Sequence, residues 1–223
     1  LNTGRIRDQW HTMTRTGRSP RLASHLPEPF VDMHPADALS CGLRAGALVR
    51  VATRWGRMVV RLRTSGEIAR RSIFVPIHWN GTTASDARVG ALVNPVVDAI
   101  SGQPEFKATP ARVEPFVVSW HGFVLTRQQL AVQTFSWWAC AQGDDCLRYE
   151  IAGRRVPGDW SAWASALLGA DAAAAVAGRA LLRLGADFGA RAVTGLARHP
   201  ARHPHRGPGA AVGLLQRDLQ IES

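Results

Sequence analysis

Two stretches with a two-residue period, 48–53 and 58–64, constrain what this chain can fold into more than anything else in its sequence. In the first, Val49, Val51 and Thr53 share one side while Arg50 and Arg54 take the other; in the second, Val60 and Leu62 oppose Arg61 and Arg63. Successive side chains on a strand point to opposite faces, so the pattern predicts two strands with one apolar and one charged face. Arg54-Trp55-Gly56-Arg57 separates them, and a glycine able to take positive φ suits the turn. The pair reads as a β-hairpin whose arginines form a solvated face.

Short extended segments follow the same logic at 30–33, 72–77 and 113–116. The second is nearly all apolar, which predicts burial on both faces, and it ends abruptly in His78-Trp79-Asn80-Gly81. Prolines 20, 27 and 29 make 19–29 a loop. Pro35 suits the first position of a short helix over 36–41, and Gly42 suits its left-handed end. Short strands with short helices between them predict a mainly β domain.

Chain length allows one ordinary domain and part of a second, and 46% apolar content suffices for a core. Apolar runs are broken well before the roughly 20 residues of a membrane span, so no membrane association is expected. There is no Met at position 1 and no basic-then-apolar leader pattern, so no export address is expected. Cys41, Cys140 and Cys146 are too few and too far apart for a metal or disulfide framework, and reduced thiols in a cytoplasmic protein are the default. The net charge is +10, yet without a Lys/Arg run or an aromatic ladder nucleic-acid binding is not expected. Lys107 is the only lysine, so part of the arginine excess reflects compositional bias.

Chemistry-bearing side chains concentrate in residues 1–17. Arg5, Arg7 and Arg15 offer planar cationic forks, Thr3, Thr12, Thr14 and Thr16 offer hydroxyls, and Gly4 permits close backbone approach. Trp10 beside His11 adds a flat face for a heterocycle. His78 stands at a strand end, where sites are built on rigid sheets. Asn94 carries an amide able to pair with a base edge, and Lys107 is a point charge suited to phosphate. Read without context, these are equally a polar loop, a capped strand end, an Asx turn before Pro95 and a surface lysine.

Four ordered blocks give them a context. The run Thr3-Gly4-Arg5, then Gln9-Trp10-His11-Thr12 and Thr14-Arg15-Thr16-Gly17, opens the series. Phe-Val-Asp-Met-His-Pro-Ala-Asp (30–37), Phe-Val-Pro-Ile-His-Trp-Asn (74–80) and the segment 92–107 ending Ser-Gly-Gln-Pro-Glu-Phe-Lys complete it. Together they resemble the molybdopterin dinucleotide-binding domain of molybdenum oxidoreductases, most of all bacterial assimilatory nitrate reductases. The resemblance implies a double-psi β-barrel over 1–116 that holds bis-molybdopterin guanine dinucleotide through Thr3, Gly4, Arg5, Trp10, His11, Thr12, Thr14, Arg15, Thr16, His78, Asn94 and Lys107. It implies no catalytic acid, base or nucleophile here. It further implies that the molybdenum ligand, an iron-sulfur cluster and the substrate funnel belong to upstream domains of the same subunit, which reduces nitrate to nitrite with electrons from an unidentified donor. Two alternatives stay open: another molybdopterin oxidoreductase such as a formate dehydrogenase, and a stand-alone basic β-barrel that binds nucleic acid or protein.

Beyond residue 117 the resemblance weakens, and a small α+β extension over 117–175 is expected. Thr126 with Gln129 three residues on predicts a helix at 126–132. The tryptophans at 137, 138, 160 and 163 predict packing. Asp171 before an alanine run predicts a helix over 172–184. The remainder of 176–223, rich in Ala, Arg, Gly and Pro, is expected to be partly disordered. Its bias suggests translation of a shifted reading frame.

Overall fold

The computed structural model describes residues 1–168. The predicted helix over 172–184 and the tail lie outside the described residues.

Six strands form one mixed sheet: β1 (Asn2–Gly4), β2 (Phe30–Met33), β3 (Leu48–Ala52), β4 (Arg57–Thr64), β5 (Ile73–Pro76) and β6 (Arg112–Pro115). Their spatial order is β1-β5-β2-β4-β3-β6. The hairpin forms as the alternation requires, with Ala52 opposite Arg57 and Thr53 N–H donating to Gly56 O at 2.9 Å. Gly56 is required for a different reason than expected. It does not take positive φ; a Cβ there would stand 2.4 Å from Ala91 O, so the turn needs glycine for close backbone approach.

Pairs β1/β5 and β2/β4 are parallel, whereas β2/β5, β3/β4 and β3/β6 are antiparallel. Strand β1 escaped the sequence reading because three residues show no period and its partner lies some seventy residues away. At its outer end, Leu1 N donates to Thr109 O at 2.7 Å, and Thr109 N–H returns a 3.2 Å bond to Leu1 O. These bonds bring the two edges of the sheet towards each other just before β6.

Two short helices interrupt this sheet, α1 (Pro20–Ala23) and α2 (Pro35–Ser40). In α2, His34 caps the start, its Nδ1 accepting from Ala36 N–H at 3.1 Å, and Gly42 follows the end at φ +66°. One face of the sheet buries Val31, Val49, Val51, Met58, Val60, Leu62 and Val75 at 0% exposure each. At roughly 1.5–3 kcal/mol per fully buried aliphatic side chain, this layer contributes substantially to the fold's stability.

The other face is solvated only in part: Arg57 and Arg63 stay exposed as expected, but its middle is covered. A second sheet of β7 (Trp120–Thr126), β8 (Trp137–Gln142) and β9 (Leu147–Gly153), ordered β7-β9-β8, packs Trp137, Ala139 and Ala152 against Phe30, Leu48, Val59 and Trp79. Trp137 Nε1 donates to Val59 O at 3.0 Å. Arg61, expected in solvent, therefore lies between layers with its side chain only 13% exposed. Its guanidinium grips Glu28 through Nε at 3.1 Å and Nη2 at 2.9 Å, reaches Gly46 O and stacks on Trp137.

The helix expected at 126–132 does not form. Residues Trp120–Thr126 are strand β7, paired throughout with β9, and Thr126 Oγ1 accepts from Gln128 N–H to make a local turn after the strand. A Thr with a Gln three residues on satisfies a turn as well as a helix start, and the alternate burial of Trp120, Gly122, Val124 and Thr126 favours the strand. Helix α3 (Trp160–Leu168) covers this sheet, with Asp159 Oδ1 accepting from Ala162 N–H at its start. Trp120, Trp160 and Trp163 meet edge to face at 5.3–5.6 Å, which is the packing expected of them.

Candidate functional site

Because β1 and β5 run parallel, their C-terminal ends emerge side by side. From β1 comes the loop that carries Arg5 to Thr16, and from β5 comes His78. The His78 ring is fully buried and both nitrogens are engaged by that loop: Nε2 accepts from Ile6 N–H at 2.9 Å and Nδ1 lies 2.6 Å from His11 O. Since an N–H donor faces Nε2, the proton sits on Nδ1 and the ring is neutral. Burial above all, with Arg5 and His11 adding repulsion, holds the His78 pKa below its ordinary value, against the opposing bond to His11 O.

His78 therefore pins the loop and has no free ring nitrogen to offer a ligand. The loop it pins is strained, with His11 at φ +46° and Met13 at φ +62°, a left-handed conformation that non-glycine residues hold only when surroundings compel it. Above the pin, Arg5 lies 4.7 Å over the Trp10 ring, and Trp10 meets His11 edge to face at 4.9 Å. Trp10 stays 56% exposed, an aromatic face held out towards solvent. Thr16 Oγ1 closes the loop from inside by donating to buried Gln9 Oε1 at 2.7 Å and accepting from Trp10 N–H. Thr12, Thr14 and Arg15 project exposed from the rim, and Arg15 makes no ion pair among the described residues.

A second group gathers across β1. Thr3 is buried, its Oγ1 donating to Phe106 O at 2.8 Å, while Lys107 Nζ donates back to Thr3 O. Gly4 is dictated by packing, since a Cβ there would stand 2.9 Å from the Phe74 ring and 3.9 Å from Lys107 Nζ. Asn94 lies at the base of the excursion that ends at Lys107 and donates to Glu105 Oε2 at 2.8 Å. Thus the structure joins Thr3, Gly4 and Lys107, and separately joins Arg5, Trp10, His11 and His78. Thr12, Thr14, Arg15 and Asn94 sit on the surrounding rims. Gln9, Phe74 and Glu105 stand in the blocks that carry the resemblance, but their part in holding the named residues is not legible there, because it depends on partners that only the fold supplies.

The profile of the molydopterin dinucleotide binding domain matches residues 1–110, the span that contains both groups. These residues belong to that family. The chain is similar to a nitrate reductase of Klebsiella oxytoca, 40% identical over 72% of this chain and 18% of the relative. It is also similar to a formate dehydrogenase alpha subunit of Methanococcus maripaludis, 38% identical over 51% of this chain and 16% of the relative. The assimilatory nitrate reductase catalytic subunit of Bacillus subtilis is 31% identical over 52% of this chain and 16% of its own length. The chain thus spans less than a fifth of the length of the relatives it matches.

The residues of this dinucleotide-binding domain fit an anionic, heterocyclic cofactor. Exposed guanidiniums at Arg5 and Arg15, the open Trp10 ring and the hydroxyls of Thr12 and Thr14 supply charge, stacking and hydrogen bonding on one loop. Lys107 adds a cation beside the Gly4 backbone. Among the described residues no helix is long and apolar enough to cross a membrane.

Proposed function

We propose that this chain is the cofactor-clamping part of a cytoplasmic molybdenum oxidoreductase that reduces nitrate to nitrite, and that it holds molybdopterin guanine dinucleotide in its bis form. The observation that carries this reading is the pinned loop: His78 fixes a strained backbone whose outward side chains are guanidiniums, hydroxyls and an indole. When bound, the cofactor supplies oxygen-atom and two-electron chemistry at molybdenum. The residues here bind and orient it. Arg5 and Arg15 neutralise its phosphates, Trp10 stacks on a ring, Thr12 and Thr14 donate to its heteroatoms, Thr16 keeps the loop closed through Gln9 and Trp10, and Lys107 and Asn94 hold the opposite edge through charge and amide pairing. Thr3 and Gly4 contribute backbone, and His78 keeps His11 in register.

The six-stranded sheet is read as a double-psi barrel, supported by its two parallel pairings and the Leu1–Thr109 bonds that draw its edges together. The substrate rests on similarity to nitrate reductases, and the formate dehydrogenase relative makes formate oxidation the second reading. Upstream domains of the same subunit would carry the metal ligand and an iron-sulfur cluster.

The test is to express the chain in cells that make the cofactor and to assay bound guanine nucleotide and pterin after purification. Retention that falls at least about tenfold in Lys107→Ala and Asn94→Ala, and recovers in Lys107→Arg, supports the clamp. No retention, together with duplex-DNA affinity that declines linearly with log salt, would replace it with a basic nucleic-acid-binding barrel. Nitrate and formate turnover by the complete subunit then separates the two substrates.

A further inference from the structure

At the far end of β1 and β5 from the cofactor loop, about four residues or roughly 13 Å along the strands, lies a cleft of about 820 Å³. Its volume falls in the range of small-molecule sites. Met33, Ile73 and Val113 give it an apolar wall, and Arg70, Arg71 and Arg112 give it a cationic rim. Two of these cations are already paired, Arg70 with Asp37 and Arg112 with Glu114. Arg71 makes no ion pair among the described residues.

Two observations mark this cleft as a built site. Arg71 sits at φ +60°, a conformation that suits glycine, and Asp37 Oδ2 holds it there by accepting its N–H at 2.5 Å. Strain kept at a position where glycine would relieve it indicates that the side chain has a use. Thr109 also lines the cleft at 2% exposure, and its Oγ1 has no hydrogen-bond partner among the described residues. A buried hydroxyl without a partner is a cost that a ligand atom would remove.

We propose that this cleft is a second binding site, distinct from the cofactor cradle, for a small organic oxyanion: a phosphate monoester or carboxylate on an apolar or aromatic body. The guanidinium of Arg71 grips the oxyanion as a planar fork, Thr109 completes its hydrogen bonds, and the Met33–Ile73 wall takes the apolar body.

Isothermal titration of the full chain with 1-naphthyl phosphate, 1-naphthoate and neutral 1-naphthol tests this. Either anion should saturate a single site, the tighter of the two identifying the headgroup, while 1-naphthol binds at least about tenfold more weakly. Arg71→Gly, which removes the cation and relieves the backbone, should weaken the anion at least about tenfold without lowering Tm. Thr109→Val should weaken it about threefold or more, also without loss of Tm. Lys107→Ala, in the cradle, should bind the anion as the parent does. The proposal is overturned if no anion saturates, if 1-naphthol binds equally well, if Arg71→Gly and Thr109→Val bind like the parent, or if Lys107→Ala removes binding. That last result would move the anion to the cofactor cradle.

Discussion

His78 is the position where the described geometry makes its sharpest demand. Replacing it with Leu keeps the site filled with a side chain of similar bulk but removes the acceptor from Ile6 N–H and the donor to His11 O. Ile6 is half-buried, so its amide is left partly without a partner, whereas exposed His11 can recruit water. A net hydrogen bond contributes about 1 kcal/mol and an orphaned buried donor costs about 1–3 kcal/mol, so the loss should total about 2–4 kcal/mol. For a chain of this size that corresponds to a fall in Tm of about 4–16 °C. His78→Gln, which returns an amide oxygen near Nε2, should recover about half of the loss.

Hydrogen exchange at the Ile6 amide supplies a local readout and should accelerate in His78→Leu but far less in His78→Gln. The pH dependence has a definite sign. Because burial holds His78 below its ordinary pKa, the unfolded state binds more protons, and stability is full above about pH 6.5 and declines as pH falls towards the lowered value. A His78→Leu protein that melts within about 1 °C of the parent, with Ile6 protection unchanged, would refute the idea that this ring holds the loop.

Other residues make independent demands. Gly56→Ala should destabilise the chain by about 1–3 kcal/mol in urea titration, because its Cβ collides with Ala91 O, whereas Gly66→Ala, with open space around it, should be nearly neutral. Arg61→Met leaves Glu28 without its bidentate partner between the two sheets; a loss of about 2–3 kcal/mol is expected, and adding Glu28→Gln should restore part of it. Burial, reinforced by Arg61, pushes His121 down to about 4. Its contribution to stability is therefore full above about pH 6.5 and lost between there and about pH 4, and His121→Gln should flatten the Tm profile across that window.

Local chemistry was enough for much of the first sheet. Alternation at 48–53 and 58–64 specifies which residues face inward, because the strand period admits no other assignment, and Pro35 with Gly42 brackets α2 through φ preferences alone. The blocks within residues 1–110 likewise identified the family, since ordered motifs depend on sequence only. Tertiary structure decided whatever depends on distant partners. Strand β1 exists because β5 pairs with it, and the helix expected from Thr126 does not start because Thr126 is the last residue of β7, held opposite Leu147 of β9. Arg61 is mostly withdrawn from solvent because a second sheet covers part of a face that alternation alone marks as polar. The sequence marks His78 by its place at a strand end, yet only the fold shows both its nitrogens committed to the loop. Burial and hydrogen-bond partners are properties of pairs of residues far apart in the chain, and a local pattern cannot contain them.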